Sequence, residues 1–169
     1  MLQNNDIKMR LRIKELFFDW LMICAYLILL FIVNIGFSYL RTGNVFPSYT
    51  ERTTQLIATF TSVVPIILWF SYSDYKGGTF GKKKAGLTIY FNKKSFTNAI
   101  IRNTIKFIPW QLGHMYAIRS AYYGYDRFSQ ILYAISVILF LIMLGMGLLR
   151  SDKRHLGDFL AGTQVQIKN

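Results

Sequence analysis

The sequence predicts an all-α integral membrane bundle of about four transmembrane helices, with a short cytoplasmic loop or hairpin between helices 2 and 3. Three observations predict it. Of the 169 residues 53% are hydrophobic, and they come in blocks: Trp20–Leu40, Thr53–Ser73 and Phe128–Leu149 each run past the ~18 uncharged residues that mark a membrane span. The 20 Lys and Arg are unevenly placed, with four in residues 1–15, eight in 74–106 and four after Leu149. A fourth, partly apolar stretch lies at 98–123. If it crosses, sixteen basic residues and both termini fall on the cytoplasmic side; if it does not, fourteen do. The four-span arrangement therefore follows the positive-inside rule better.

The net charge of +12 is explained by the same rule and by anionic lipid at the inner leaflet, so nucleic acid is not expected as a partner. The single cysteine, Cys24, lies within the first apolar run, which leaves no disulfide and no thiolate metal site. That run is too long for a cleavable signal peptide, and no small-residue cleavage site follows it. One domain is expected over residues 1–169, with spans at about 16–40, 53–73, 98–123 and 128–149.

The basic N-terminal residues lead into the first span, and Asp19 sits just inside its front end. Arg12 stands seven residues earlier, close to two helical turns, so Arg12 and Asp19 share a helix face with Glu15 between them. Two readings fit Asp19: an acid stabilised at a helix N-terminus, or an intramembrane carboxylate with a partner inside the protein. In the second span Pro65 frees a backbone carbonyl, predicting a kink that the hydroxyls of Thr59, Thr61 and Ser62 help to satisfy.

The most polar part follows, Asp74 to Lys106, with eight basic residues against one Asp. Gly77 and Gly78 read as a turn, Thr88–Phe91 as a short strand, and Asn92–Ser95 as a turn or hairpin tip. The segment GGTFGKK approaches a phosphate-binding loop but is one residue short and lacks the hydroxyl after Lys. Its lysines read instead as a solvated face near anionic headgroups.

The stretch 98–123 carries Arg102, Lys106, His114 and Arg119, with Pro109 in its middle. It fits a crossing helix or an amphipathic helix on the cytoplasmic surface. His114 fits a proton relay or a packed interfacial side chain. Trp110 and the tyrosines at 116, 122, 123 and 125 read as interfacial anchors. In the last span Gly145 and Gly147 permit close helix packing. After Arg150, Lys153 and Arg154 comes an apolar segment with one acid, Asp158, which returns to the side of Arg12 and Asp19. These three charges are expected to form one cluster at the inner interface.

Four motifs in this order resemble the RDD family of small bacterial membrane proteins, named for one arginine and two aspartates. Its first span opens with an Arg seven residues before an Asp, as Arg12 and Asp19 do. Its loop pattern, roughly G-x-T-x-G-K-x-x-x-G-L, is similar to Gly77, Thr79, Gly81, Lys82, Gly86 and Leu87. An Arg-Asn pair looks like Arg102-Asn103, and a closing H-x-x-D-x-x-A-G-T looks like His155, Asp158, Ala161, Gly162 and Thr163. The chain departs from the pattern at Glu15, where the family tends to carry a small residue, and in its tyrosine-rich segment between Trp110 and Arg127.

The resemblance implies a transport-linked role, since some members look like antiporters of sodium or another monovalent cation against protons. On that reading Asp19 and Asp158 are the exchange site and Arg12 tunes their proton affinity. The rival reading is a non-catalytic accessory, inhibitor or immunity protein that binds another membrane protein or an envelope-active peptide. A transporter with so few spans would need a homo-oligomer to wall a pathway. No nucleophile–base pair or metal-ligand spacing is present, so neither an enzyme nor a cofactor is expected.

Overall fold

The computed structural model describes residues 7–45 and 47–168. Residues 1–6 and Asn169, on which the placement of the extreme termini falls, lie outside the described residues.

Helix α1 (Met9–Thr42) runs 34 residues, about 51 Å at 1.5 Å per residue. Gly43 stops it in the left-handed conformation, with its N–H on the Tyr39 carbonyl. Thr50 then caps α2 (Glu51–Ala58), which continues through a π-helical turn (Thr59–Val63) into α3 (Val64–Tyr75). The π turn lies one turn before Pro65, whose ring nitrogen cannot donate to the Thr61 carbonyl. The Tyr26 hydroxyl of α1 donates to that carbonyl at 2.5 Å. Thr61 and Ser62, expected to help here, instead donate one turn back to the carbonyls of Ile57 and Ala58. The proline site thereby becomes a cross-link between α1 and the second long helix.

Short helix α4 (Phe80–Lys84), capped by Thr79, leads to strand β1 (Leu87–Phe91). Ser95 caps α5 (Phe96–Tyr123), and Asp126 caps α6 (Arg127–Leu149) while pairing with Arg119 at 2.5 Å. The chain ends in α7 (Leu156–Ala161) and strand β2 (Thr163–Ile167). α5 and α6 pack side by side, pinned where the Ser136 hydroxyl donates to the Pro109 carbonyl at 2.7 Å.

Among the described residues three helices, Met9–Thr42, Glu51–Tyr75 and Arg127–Leu149, are long and apolar enough to cross a membrane. α5 is also long, with 28 residues, but is not apolar enough to be among them. The all-α expectation needs a correction at the polar end. β1 forms at the expected strand and the chain bends at Asn92 and Lys93, so of the turn and the hairpin tip expected at Asn92–Ser95 only the hairpin is absent. β1 pairs antiparallel with β2, from Leu87 opposite Ile167 to Phe91 opposite Thr163. The reason is local: Ser95 already caps α5, while Gly162 at φ +61° turns the chain out of α7 and lays 163–167 along β1.

Burial is inverted relative to a water-soluble domain. Leu40 is 86% exposed and Phe60 65%, whereas the largest fully buried side chains are Arg102 and Lys82. Apolar contacts inside are small sets, such as Ile23, Ile66, Phe70 and Phe107, with the Phe70 and Phe107 rings edge-to-face at 5.2 Å. An outward apolar belt around a charged interior is the arrangement that hydrocarbon demands.

Candidate functional site

The charged interior is built from the start of α1, the end of α3, α4, the first turns of α5 and the segment after α6. Asp19 does not meet Arg12. Its carboxylate accepts the Gly81 N–H and the Thr79 hydroxyl, both at 2.8 Å, so it caps the first turn of α4. This docking explains the glycine: a Cβ on Gly81 would lie 2.1 Å from the Glu15 carbonyl oxygen and 2.6 Å from Asp19 Oδ1. With α4 seated there, Lys82 points inward and is wholly buried, while Lys83 and Lys84 stay exposed. The solvated lysine face expected of this loop is therefore corrected at Lys82. Gly86, at φ +69°, ends the helical turn and releases Leu87 into β1.

From Lys82 the ion pairs run in both directions. Its Nζ lies 3.3 Å from Glu15 Oε1 and 2.9 Å from Asp74 Oδ1. Glu15 also pairs with Arg12, whose Nε reaches the Gly147 carbonyl of α6 at 3.4 Å. On the other side Asp74 Oδ2 takes Arg102 Nη1 at 2.6 Å and the Asn103 amide at 3.1 Å. Arg102 Nε then reaches Asp158 Oδ1 at 2.7 Å, where the Thr163 hydroxyl also donates at 2.7 Å. The series Arg12–Glu15–Lys82–Asp74–Arg102–Asp158 thus joins five elements of the fold. The expected trio of Arg12, Asp19 and Asp158 is resolved into three separate sets of contacts, linked only through these intermediates.

Burial opposes charge on Lys82, but Asp74 and Glu15 override it and raise its pKa above the ordinary lysine value. Asp158 behaves likewise: burial works to raise it, and Arg102 holds it well below the usual carboxylate range. His155 goes the other way, pushed down to about 3 chiefly by burial. Its Nδ1 accepts the Gly157 N–H at 3.1 Å while Asp158 Oδ2 accepts the His155 N–H at 3.2 Å, a reciprocal cap on α7. An imidazole accepting at Nδ1 and held neutral carries its proton on Nε2.

Sign follows from that. A histidine whose folded pKa lies below its ordinary 6.5 binds fewer protons folded than unfolded. Its contribution is complete above pH 6.5 and is lost as pH falls toward about 3. His155→Asn, which can keep the cap through its side-chain oxygen, is expected to flatten the fall in thermal stability between pH 6.5 and 4.5. Melting in detergent at a series of pH values measures it, and an unchanged slope would contradict the assignment.

His114 stands apart. It stacks on Trp110 with ring centroids 5.8 Å apart and lines a cavity of about 580 Å³ between α1, α5 and α6. Arg12, Glu15, Arg102, Lys106 and His155 close one end of that cavity; Asp19, Asp74 and Asp158 are not among its lining. Sequence reasoning missed Asp74 and underrated Arg102. The available signal was that Asp74 is the lone acid among eight basic residues, at the end of an apolar run. Among the described residues no group of His, Cys, Asp and Glu is spaced to hold a metal ion.

Among curated proteins and among solved structures nothing matches the chain. A family model does: that of the RDD family matches residues 11–162, which takes in every residue of the ion-pair series and all four sequence motifs but the closing Thr163. The chain belongs to the RDD family, a family of small membrane proteins.

Proposed function

We propose that this chain is a non-catalytic accessory protein of the cell membrane, in which the buried charges lock the fold and the apolar faces of α1 and α6 hold a membrane partner. It crosses four times, α5 included, with both termini cytoplasmic; the support is that sixteen of 20 basic residues then lie inside. One observation carries the accessory reading. Asp19 and Asp158, the acids that would exchange a proton for a cation, have both oxygens engaged by fixed donors and are not among the residues that line the cavity. A carboxyl that trades protons near neutrality needs a raised pKa, and Asp158 is held low.

Cation/proton exchange is the second reading, and what favours it is Glu15, an acid that does line the cavity. Purified protein in vesicles carrying a trapped pH indicator separates the two. Under the accessory reading, sodium, lithium or potassium pulses change the internal pH no more than in protein-free vesicles. A cation-dependent pH change that Asp19→Asn, Asp158→Asn or Glu15→Gln abolishes, in protein that remains folded, would establish antiport instead.

A further inference from the structure

The cavity between α1, α5 and α6 combines apolar walls with a surplus of unused donors. Its volume of about 580 Å³ is that of a ligand pocket, and Phe107, Val137, Phe140, Met143 and Leu144 supply much of the wall. At the charged end Glu15 is engaged by Arg12 and Lys82, and Arg102 by Asp74 and Asp158. Lys106 is left over. None of the described residues gives its ammonium a hydrogen bond or an ion pair; it rests over the Phe70 and Phe107 rings at 4.9 and 5.4 Å. A second lining residue, Trp110, buries a ring nitrogen, Nε1, that has no acceptor, whereas His155 Nε2 lies 3.3 Å from Asp158 Oδ2. An ammonium with no counter-ion and a buried indole N–H with no acceptor, both on one cavity, call for an acceptor-rich, negatively charged occupant with an apolar body.

We propose that the cavity holds one acyl chain of an anionic phospholipid, with the phosphate against Lys106. The bilayer is the reservoir, because the helix faces beside the cavity are apolar and exposed, Phe140 at 54% among them. Charge selects the headgroup: a choline ammonium would sit among Arg12, Arg102 and Lys106, whereas a glycerol headgroup adds no positive charge. The site is separate from the exposed Lys83 and Lys84, and it rests on membrane insertion rather than on the accessory role.

Replacing Trp20 and Trp69 by Phe leaves Trp110 as the sole tryptophan of the three. This protein is reconstituted in phosphatidylcholine vesicles doped with phosphatidylglycerol or phosphatidylcholine carrying brominated chains. Quenching of Trp110 should reach half its maximum at about tenfold lower mole fraction for the anionic lipid. Lys106→Gln should remove most of that preference and Lys106→Arg should keep it, with folding checked by circular dichroism. Val137→Phe, which fills the cavity and leaves its charges alone, should abolish quenching by either lipid at low mole fraction. Equal quenching by both lipids, or a preference that survives Lys106→Gln, would overturn the proposal. So would quenching blocked by dimerisation as the protein-to-lipid ratio rises, which would make a second copy the occupant.

Discussion

Gly81→Ala is expected to unseat α4 from α1 and to destabilise the protein by about 3–5 kcal/mol. The clash is with the Glu15 carbonyl oxygen, 2.1 Å from where the Cβ would lie, so no side-chain rotation relieves it. Moving α4 outward strips Asp19 of its two donors and draws Lys82 away from Glu15 and Asp74. Carboxylates buried without partners account for most of the loss. The variant should melt well below wild type in detergent and should become susceptible to trypsin after Lys82, which burial protects in the intact fold. Gly36→Ala serves as the control, because nothing lies within 4 Å of the added methyl. If the two substitutions behave alike, the docking of α4 has been misread.

Arg102→Met should be comparably damaging. It leaves Asp74 with Lys82 and Asn103 and deprives Asp158 of its ion pair, both acids being wholly buried. Removing one partner of a buried pair typically costs about 3–5 kcal/mol. Adding Asp74→Asn and Asp158→Asn to Arg102→Met should recover part of that loss, since amides need no counter-charge. Unfolding in detergent of the single, double and triple variants measures the recovery. Were Arg102→Met as stable as wild type, the ion-pair series would not be a lock.

Periodicity and charge made the long helices legible, because a span must be apolar over a fixed length whatever its neighbours do. The observed α3 ends at Tyr75 and α6 at Leu149, within two residues of the expected limits. What could not be read was pairing at a distance. Thr88–Phe91 looks like a strand in isolation, but nothing nearby says that its partner lies at 163–167. Arg12 and Asp19 do share a helix face, yet spacing along one helix is silent about which of them a separate element will approach first. α4 takes Asp19, and Glu15, the residue that departs from the family pattern, takes Arg12. Lys82 looked like its two neighbours in sequence; only the close approach permitted by Gly81 turns it inward.

The pairing of β1 with β2 also governs the order in which the molecule can be completed. A chain made from its N-terminus inserts α1 and the second long helix early, but β1 then waits for residues 163–167, which are made after α6 and α7. Arg102 waits equally for Asp158, 56 residues later. Until then the inner ends of the early helices hold charges that only water or lipid headgroups can satisfy. Closure of the interior is thus postponed until residues 163–167 have been made, and a chain arrested after α6 would carry its spans without the clasp that joins them.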